Sequence, residues 1–267
     1  MKAALILLLF GFISLTCKSQ LIADFQTTNG VVGGCSPLAV SFNNTSKGTT
    51  SATTYQWNFG NGNVSTLQNP GATYIIAQVY TVTLTITDGA ATSSKQHTIT
   101  VYKKPTVNFS IINTKGCLPF NTMFTSSSVA GDGNIAGYFW DFGDGKSQGS
   151  NDTSLFSVSH VYANTQSPKT VLVVTNSFGC QASLSKDTVI TVNQPPVAAF
   201  TISDSALCRL SDTILLTNNT TGPGNITYKW TFGDGATATT KNAAHVYSTK
   251  GMFDIILTAT SNLGVGC

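Results

Sequence analysis

Charge is what this sequence has least of. Only 9% of its 267 residues are Asp, Glu, Lys or Arg, against roughly 25% in an average soluble protein. The net charge is +3, and Arg209 is the single arginine. A nucleic-acid binder needs clustered Lys and Arg to displace counterions from phosphates. No such cluster exists, which argues against a nucleic-acid partner. Helical patterning is missing as well: beyond the N-terminus no segment of ten or more residues carries a helical apolar stripe. Neither a nucleophile elbow nor a zinc-protease helix motif occurs, so the chain itself reads as not an enzyme.

One long apolar run exists, from Ala3 to about Leu15. It is shorter than the roughly 18 to 20 residues that span a bilayer, and it follows a lone Lys2, so no membrane span is expected. Residues 1–19 read as a signal peptide cleaved before Gln20. A rival reading makes Cys17 a lipid-bearing first residue, but Ser14-Leu15-Thr16 fits that pattern poorly. Either way the mature chain is exported, to the medium or the cell surface. Asn-x-Ser/Thr triplets such as Asn44-Thr45-Ser46 are expected by chance in so Asn- and Thr-rich a chain.

Hydrophobic residues make up 41% of the chain, enough for packed cores. Gly, Ser, Thr and Asn supply the polarity, which favours strands and turns over helices. The words WNFGNG at Trp57, WDFGDG at Trp140 and WTFGDG at Trp230 mark three copies of one unit. A cysteine (Cys35, Cys117, Cys208) precedes each tryptophan by 22 or 23 residues. A tyrosine follows each, read as Tyr80, Tyr162 and Tyr247, with Gln78 where His160 and His245 stand. Within each unit the apolar period is two, as in Tyr80-Thr81-Val82-Thr83-Leu84-Thr85-Ile86-Thr87, which is strand spacing. Proline-bearing linkers at 103–105 and 193–196 divide the chain into residues 20–103, 104–194 and 195–267, semi-rigidly spaced.

WDFGDG contains two carboxylates and the Asp-Phe-Gly triplet of magnesium-binding kinases. Yet Asp141 becomes Asn58 and Thr231 in the sister units, and Asp144 becomes Asn61. Such exchanges suit a turn and would ruin an acid–base pair. A kinase also requires further motifs that are absent, and a calcium loop of the helix–loop–helix kind requires ligands where Gly143 and Gly145 stand. Alternation instead sends Trp57 and Phe59, Trp140 and Phe142, and Trp230 and Phe232 into a core. Gly60, Gly143 and Gly233, with Asp144 and Asp234, then make the tight turn. The histidines read as hydrogen-bonding structural groups, and His97 as solvent-facing. No cofactor is expected. Calcium rests only on Asp and Asn in turns.

These residues, with HVY before an alternating strand and a closing TVITV, make the chain resemble the PKD (polycystic kidney disease) domain in three copies. The cysteine placement looks like PKD arrays of secreted bacterial surface proteins. The resemblance implies an all-β chain of three tandem immunoglobulin-like β-sandwiches, used extracellularly as spacers, adhesive or ligand-contacting modules. The third ends before an equivalent of TVITV, so the chain is expected to be the front of a longer polypeptide.

Two disulfides are predicted within units, Cys117–Cys180 and Cys208–Cys267, each contributing roughly 4 kcal/mol by loop entropy. Cys35 is left as a buried thiol or a free cross-linking group. The functional expectation is a non-catalytic spacer or adhesion array contacting an extracellular protein or carbohydrate, with the outward-facing Phe139 as a contact point. The alternative is the accessory arm of a secreted glycosidase or protease whose catalytic domain lies elsewhere.

Overall fold

The computed structural model describes residues 19–165, 168–186, 190–206, 209–263 and 267. The signal segment lies outside the described residues apart from Ser19. The chain forms two compact units, Met1–Lys103 and Lys104–Cys267. Among the described residues there is no α-helix, only strands and two three-residue 3-10 turns.

The first unit is one β-sandwich. One sheet holds Phe25–Thr27, Leu38–Asn44 and Gly71–Tyr74. The other runs Gly33–Cys35, Ala91–Tyr102, Val79–Asp88, Thr54–Asn58, Val64–Ser65, with only the first pair parallel. Alternation places Tyr80, Val82, Leu84 and Ile86 on the buried face of one strand. They meet Phe25 and Phe42 across the core, beside Trp57 on the adjacent strand of their own sheet, and Phe25 stands edge-on to Trp57 at 4.9 Å.

The second unit holds two further sandwiches of the same plan. The second repeat packs Phe109–Ile112, Phe120–Ser126 and Ser157–Tyr162 against Ser147–Ser150, Ile135–Asp141, Thr170–Asn176 and Gln181–Lys186. The third packs Phe200–Ile202, Ile214–Asn218 and Ala243–His245 against Thr237–Ala238, Ile226–Thr231 and Ile256–Ser261. Among the described residues Ile256–Ser261 pairs on one side only, whereas Val79–Asp88 and Thr170–Asn176 pair on both. Among the described residues of the third repeat, no pair matches the buried Ile99 and Val101 or Ile190 and Val192 of its sisters.

The disulfide expectation is corrected. Cys117 bonds Cys267, with Cα atoms 5.4 Å apart and 150 residues between them in sequence. Cys117–Cys180 and Cys208–Cys267 are thus both excluded as pairs. Cys35 and Cys180 are disulfide-bonded too, so Cys35 is no free thiol. Cys208 lies outside the described residues. The physical reason is distance along the strands. Cys117 precedes Phe120, which pairs with Tyr162, and the Tyr162 hydroxyl donates to the Phe142 carbonyl just past Asp141. Cys180 follows Asn176, which pairs with Ile135 at the opposite end of the same strand. Seven strand residues separate those ends by about 20 Å, and a disulfide needs Cα atoms within about 7 Å.

Cys117 instead sits at the joint with the third repeat. Its strand, Lys115–Cys117, pairs in parallel with Thr191–Asn193, the segment that leads into that repeat. The bond is therefore a covalent clamp between the second and third repeats. A protease site inserted between Asn193 and Pro196 gives a direct check. After cleavage the two fragments should migrate together on a non-reducing gel and separate on reduction.

Candidate functional site

The three motif turns share one geometry. In the second repeat the Phe142 N–H donates to the Lys146 carbonyl at 3.1 Å, and the Gly143 and Lys146 N–H groups donate to the Asp141 and Asp144 carboxylates at 2.9 and 3.0 Å. Gly143 has φ +76°, and a Cβ there would lie 2.6 Å from the Lys169 carbonyl oxygen. Gly60 and Gly233 have the same left-handed φ and the same crowding. The first motif glycine is thus fixed twice, by dihedral and by close backbone approach.

Ahead of each turn the tryptophan is fully buried, with Trp57, Trp140 and Trp230 all at 0% exposure. Each indole N–H donates to a loop carbonyl: Leu67 at 2.9 Å, Leu155 at 2.9 Å and Thr240 at 3.0 Å. Phe59, Phe142 and Phe232 are buried beside them, and each lends its carbonyl to a tyrosine hydroxyl. In the second and third repeats the donors are Tyr162 and Tyr247, both at 2.9 Å.

In the first repeat the donor is Tyr74, at 3.2 Å, and not Tyr80 as the local word suggested. Tyr74 follows Trp57 by 17 residues, as Tyr247 follows Trp230, and that equal spacing was the available signal. Tyr80 lies on the next strand and packs on Tyr74 at 4.4 Å, as Phe253 packs on Tyr247 at 4.2 Å. Gln78 is accordingly no counterpart of the histidines. Ala72 is, two residues before Tyr74. Burial pushes the hydroxyls of Tyr74 and Tyr162 up to about 12, which keeps both as donors.

Sequence reasoning gave the histidines hydrogen bonds without naming the partner. His160 Nε2 lies 2.8 Å from the Asp144 carboxylate, and His245 Nε2 lies 2.7 Å from Asp234. Each ring stacks on the motif phenylalanine, at 4.0 Å and 4.1 Å, and stands edge-on to the tyrosine. The first repeat has Asn61 for the aspartate and Ala72 for the histidine, and there Asn61 Nδ2 donates to the Thr73 carbonyl at 3.2 Å. Aspartate and histidine thus come and go together. Burial of Asp144 would raise its pKa, but the His160 hydrogen bond, the Lys146 N–H and the charge of His160 together hold it below the ordinary carboxylate value. Asp234 is lowered first by the Ala236 N–H and then by His245.

In this arrangement the imidazoles are packed between aromatic rings, and the Asp144 and Asp234 carboxylates are engaged by backbone N–H groups and imidazole. Among the described residues no group of three or more His, Cys or Asp side chains is placed to hold a metal, and the chain contains no glutamate. No helix among the described residues is long and apolar enough to cross a membrane.

The sequence pattern of the PKD domain matches residues 22–102, 103–192 and 193–267. The chain belongs to the PKD domain family. It is 39% identical over 79 residues to collagenase ColA of Bacillus cereus, a match covering 29% of this chain and 8% of that protein. Among solved structures it is similar to the PKD1 domain of the Vibrio cholerae metalloprotease PrtV, with 34% identity and TM-score 0.25 over 31% of this chain and 98% of that one. The PKD1 domain of Vibrio anguillarum Epp gives 23% identity and TM-score 0.29 over 34% and 98%.

The Asp144–His160 pair spans the two sheets of the second PKD domain, because Asp144 follows the tryptophan strand and His160 lies on Ser157–Tyr162. Its folded pKa being lowered, Asp144 contributes stability that is complete above the ordinary carboxylate pKa near 4 and is lost as pH falls through the lower folded value. Asp144→Asn should cost about 1–2 kcal/mol at neutral pH and flatten the acid limb of the stability curve between about pH 5 and 2. Asn61→Ala in the first domain should leave that limb unchanged. Urea unfolding followed across this pH range measures both.

Proposed function

We propose that this array of PKD domains is the non-catalytic accessory arm of a secreted hydrolase, of the protease class, which it holds against an insoluble substrate. The observation that carries this reading is the 79-residue stretch, about one domain long, that is 39% identical to a region of collagenase ColA. The buried motif supports it, since the carboxylates that follow Trp140 and Trp230 are committed to the turn. Export is part of the proposal: residues 1–19 read as a signal peptide, and disulfides belong to oxidising compartments. The partner would be an extracellular protein or carbohydrate, with neither nucleic acid nor cofactor involved. Held near a fibre, an attached catalytic domain would act at a high effective concentration.

A second reading, a surface spacer or adhesion array, draws on the Cys117–Cys267 clamp. A covalent tie between neighbouring domains resists separation under load whether or not an enzyme is attached.

Fusion to a protease catalytic domain separates the two. As an accessory arm the array should raise turnover of fibrous substrates severalfold and leave soluble casein unchanged. Equal turnover with and without the array would remove the accessory reading, and hydrolysis by the array alone would overturn both.

A further inference from the structure

We infer that the outer face of the second PKD domain's four-stranded sheet, centred on Phe139, is a binding platform for a neutral, β-linked glycan chain. This goes beyond the accessory reading and does not rest on it. Phe139 is 45% exposed in the middle of Ile135–Asp141. The residues directly opposite it are Gly149 on one side and Val173 on the other. A Cβ on Gly149 would lie 2.8 Å from the Phe139 ring, so the ring leans across a glycine that leaves it room. Gly137, the next outward position, allows equally close approach: a Cβ there would meet the Ser150 carbonyl oxygen at 2.5 Å. Together they border a shallow depression of about 530 Å³ whose rim carries Ser150, Asn151, Thr175 and Gln181.

A second observation is independent of exposure. Trp140 and Tyr162 stand 22 residues apart, whereas the pairs Trp57–Tyr74 and Trp230–Tyr247 stand 17 apart. The extra residues fall where the edge strand is longer, Ser147–Ser150 against Val64–Ser65 and Thr237–Ala238, and this longer segment supplies one wall of the depression. The sister faces lack both wall and ring. Gln56 and Lys229 replace Phe139.

The chemistry selects the ligand. None of the lining residues is charged, so an ionic ligand finds no counterion. The rim offers hydroxyls and carboxamides, which both donate and accept and so match sugar hydroxyls in either sense; Gln181 Nε2 donates to the Thr175 hydroxyl at 3.1 Å, and a sugar hydroxyl would join or replace that bond. The exposed ring supplies an apolar surface for the C–H face of a pyranose, as aromatic side chains do in sites with few placed polar groups. A peptide would seek main-chain hydrogen bonds at a sheet edge. Here the backbone beneath Phe139 is already paired on both sides. A sheet face continuous across Ser147–Ser150, Ile135–Asp141, Thr170–Asn176 and Gln181–Lys186 also suits the extended ribbon of a β-linked chain.

The purified protein is tested by affinity electrophoresis in gels containing hydroxyethylcellulose and by calorimetry with cellohexaose and chitohexaose. Binding is expected to weaken about tenfold or more in Phe139→Ala and to persist in Phe139→Trp. It should be insensitive to salt between about 50 and about 500 mM. Gly149→Val, which displaces the ring without deleting it, should weaken binding as well, with tryptophan fluorescence reporting an intact fold. No binding to any of these probes, binding that Phe139→Ala retains, or a steep salt dependence would each overturn the assignment. Capture of oligoproline or gelatin through Phe139, in place of the sugars, would overturn it by giving the face to a polypeptide. Because no catalytic domain takes part, this outcome is independent of the fusion experiment.

Discussion

Each repeat depends on one interaction, an indole that is wholly buried and whose N–H nevertheless finds a carbonyl. Burying a tryptophan contributes about 5 kcal/mol from apolar surface alone. An unsatisfied N–H would return about 1–3 kcal/mol of that. The loop carbonyls of Leu67, Leu155 and Thr240 prevent the loss. They also pull the loop after the turn down onto the core, so packing and loop position are set by the same bond.

The turn and the tyrosine extend that arrangement to the end of the sandwich. Gly60, Gly143 and Gly233 let the chain reverse where any side chain would strike neighbouring backbone. The reversal aims the carbonyls of Phe59 and Phe142 at Tyr74 and Tyr162 on the opposite sheet, and that of Phe232 at Tyr247 just past the strand Ala243–His245. In two repeats the aspartate and histidine add a second tie at the same end. The first repeat does without it, because Asn61 reaches the strand backbone directly. Carboxylates that look like chemistry in the sequence are fasteners between sheets.

The same scaffold leaves its outer faces free to differ. One sister face carries Gln56, another Lys229, and the second repeat carries Phe139 opposite Gly149. Because the core and the turn are shared, such variation costs the fold little. The clamp from Cys117 to Cys267 acts on another level, tying one repeat to the next where a disulfide inside one repeat would have to bridge its two ends.

Much of this was legible in the sequence. Period-two alternation and three spaced copies of the tryptophan word determined an all-β chain of three sandwiches, and the Asn and Asp exchanges marked the turn as a structural element. Those signals are local, a few residues read in order. What only the tertiary structure decided is who meets whom across the sandwich. Tyr80 shared a word with the other tyrosines, but Tyr74 stands at the distance from which a hydroxyl reaches Phe59. The cysteines fell at matching places in each copy, yet strand length puts Cys117 and Cys180 at opposite ends. Asp144 and His160 showed their pairing only faintly, by vanishing together from the first repeat. Sequence order records neighbours along the chain, whereas disulfides and ion pairs depend on separation in space, which the register of the sheets determines.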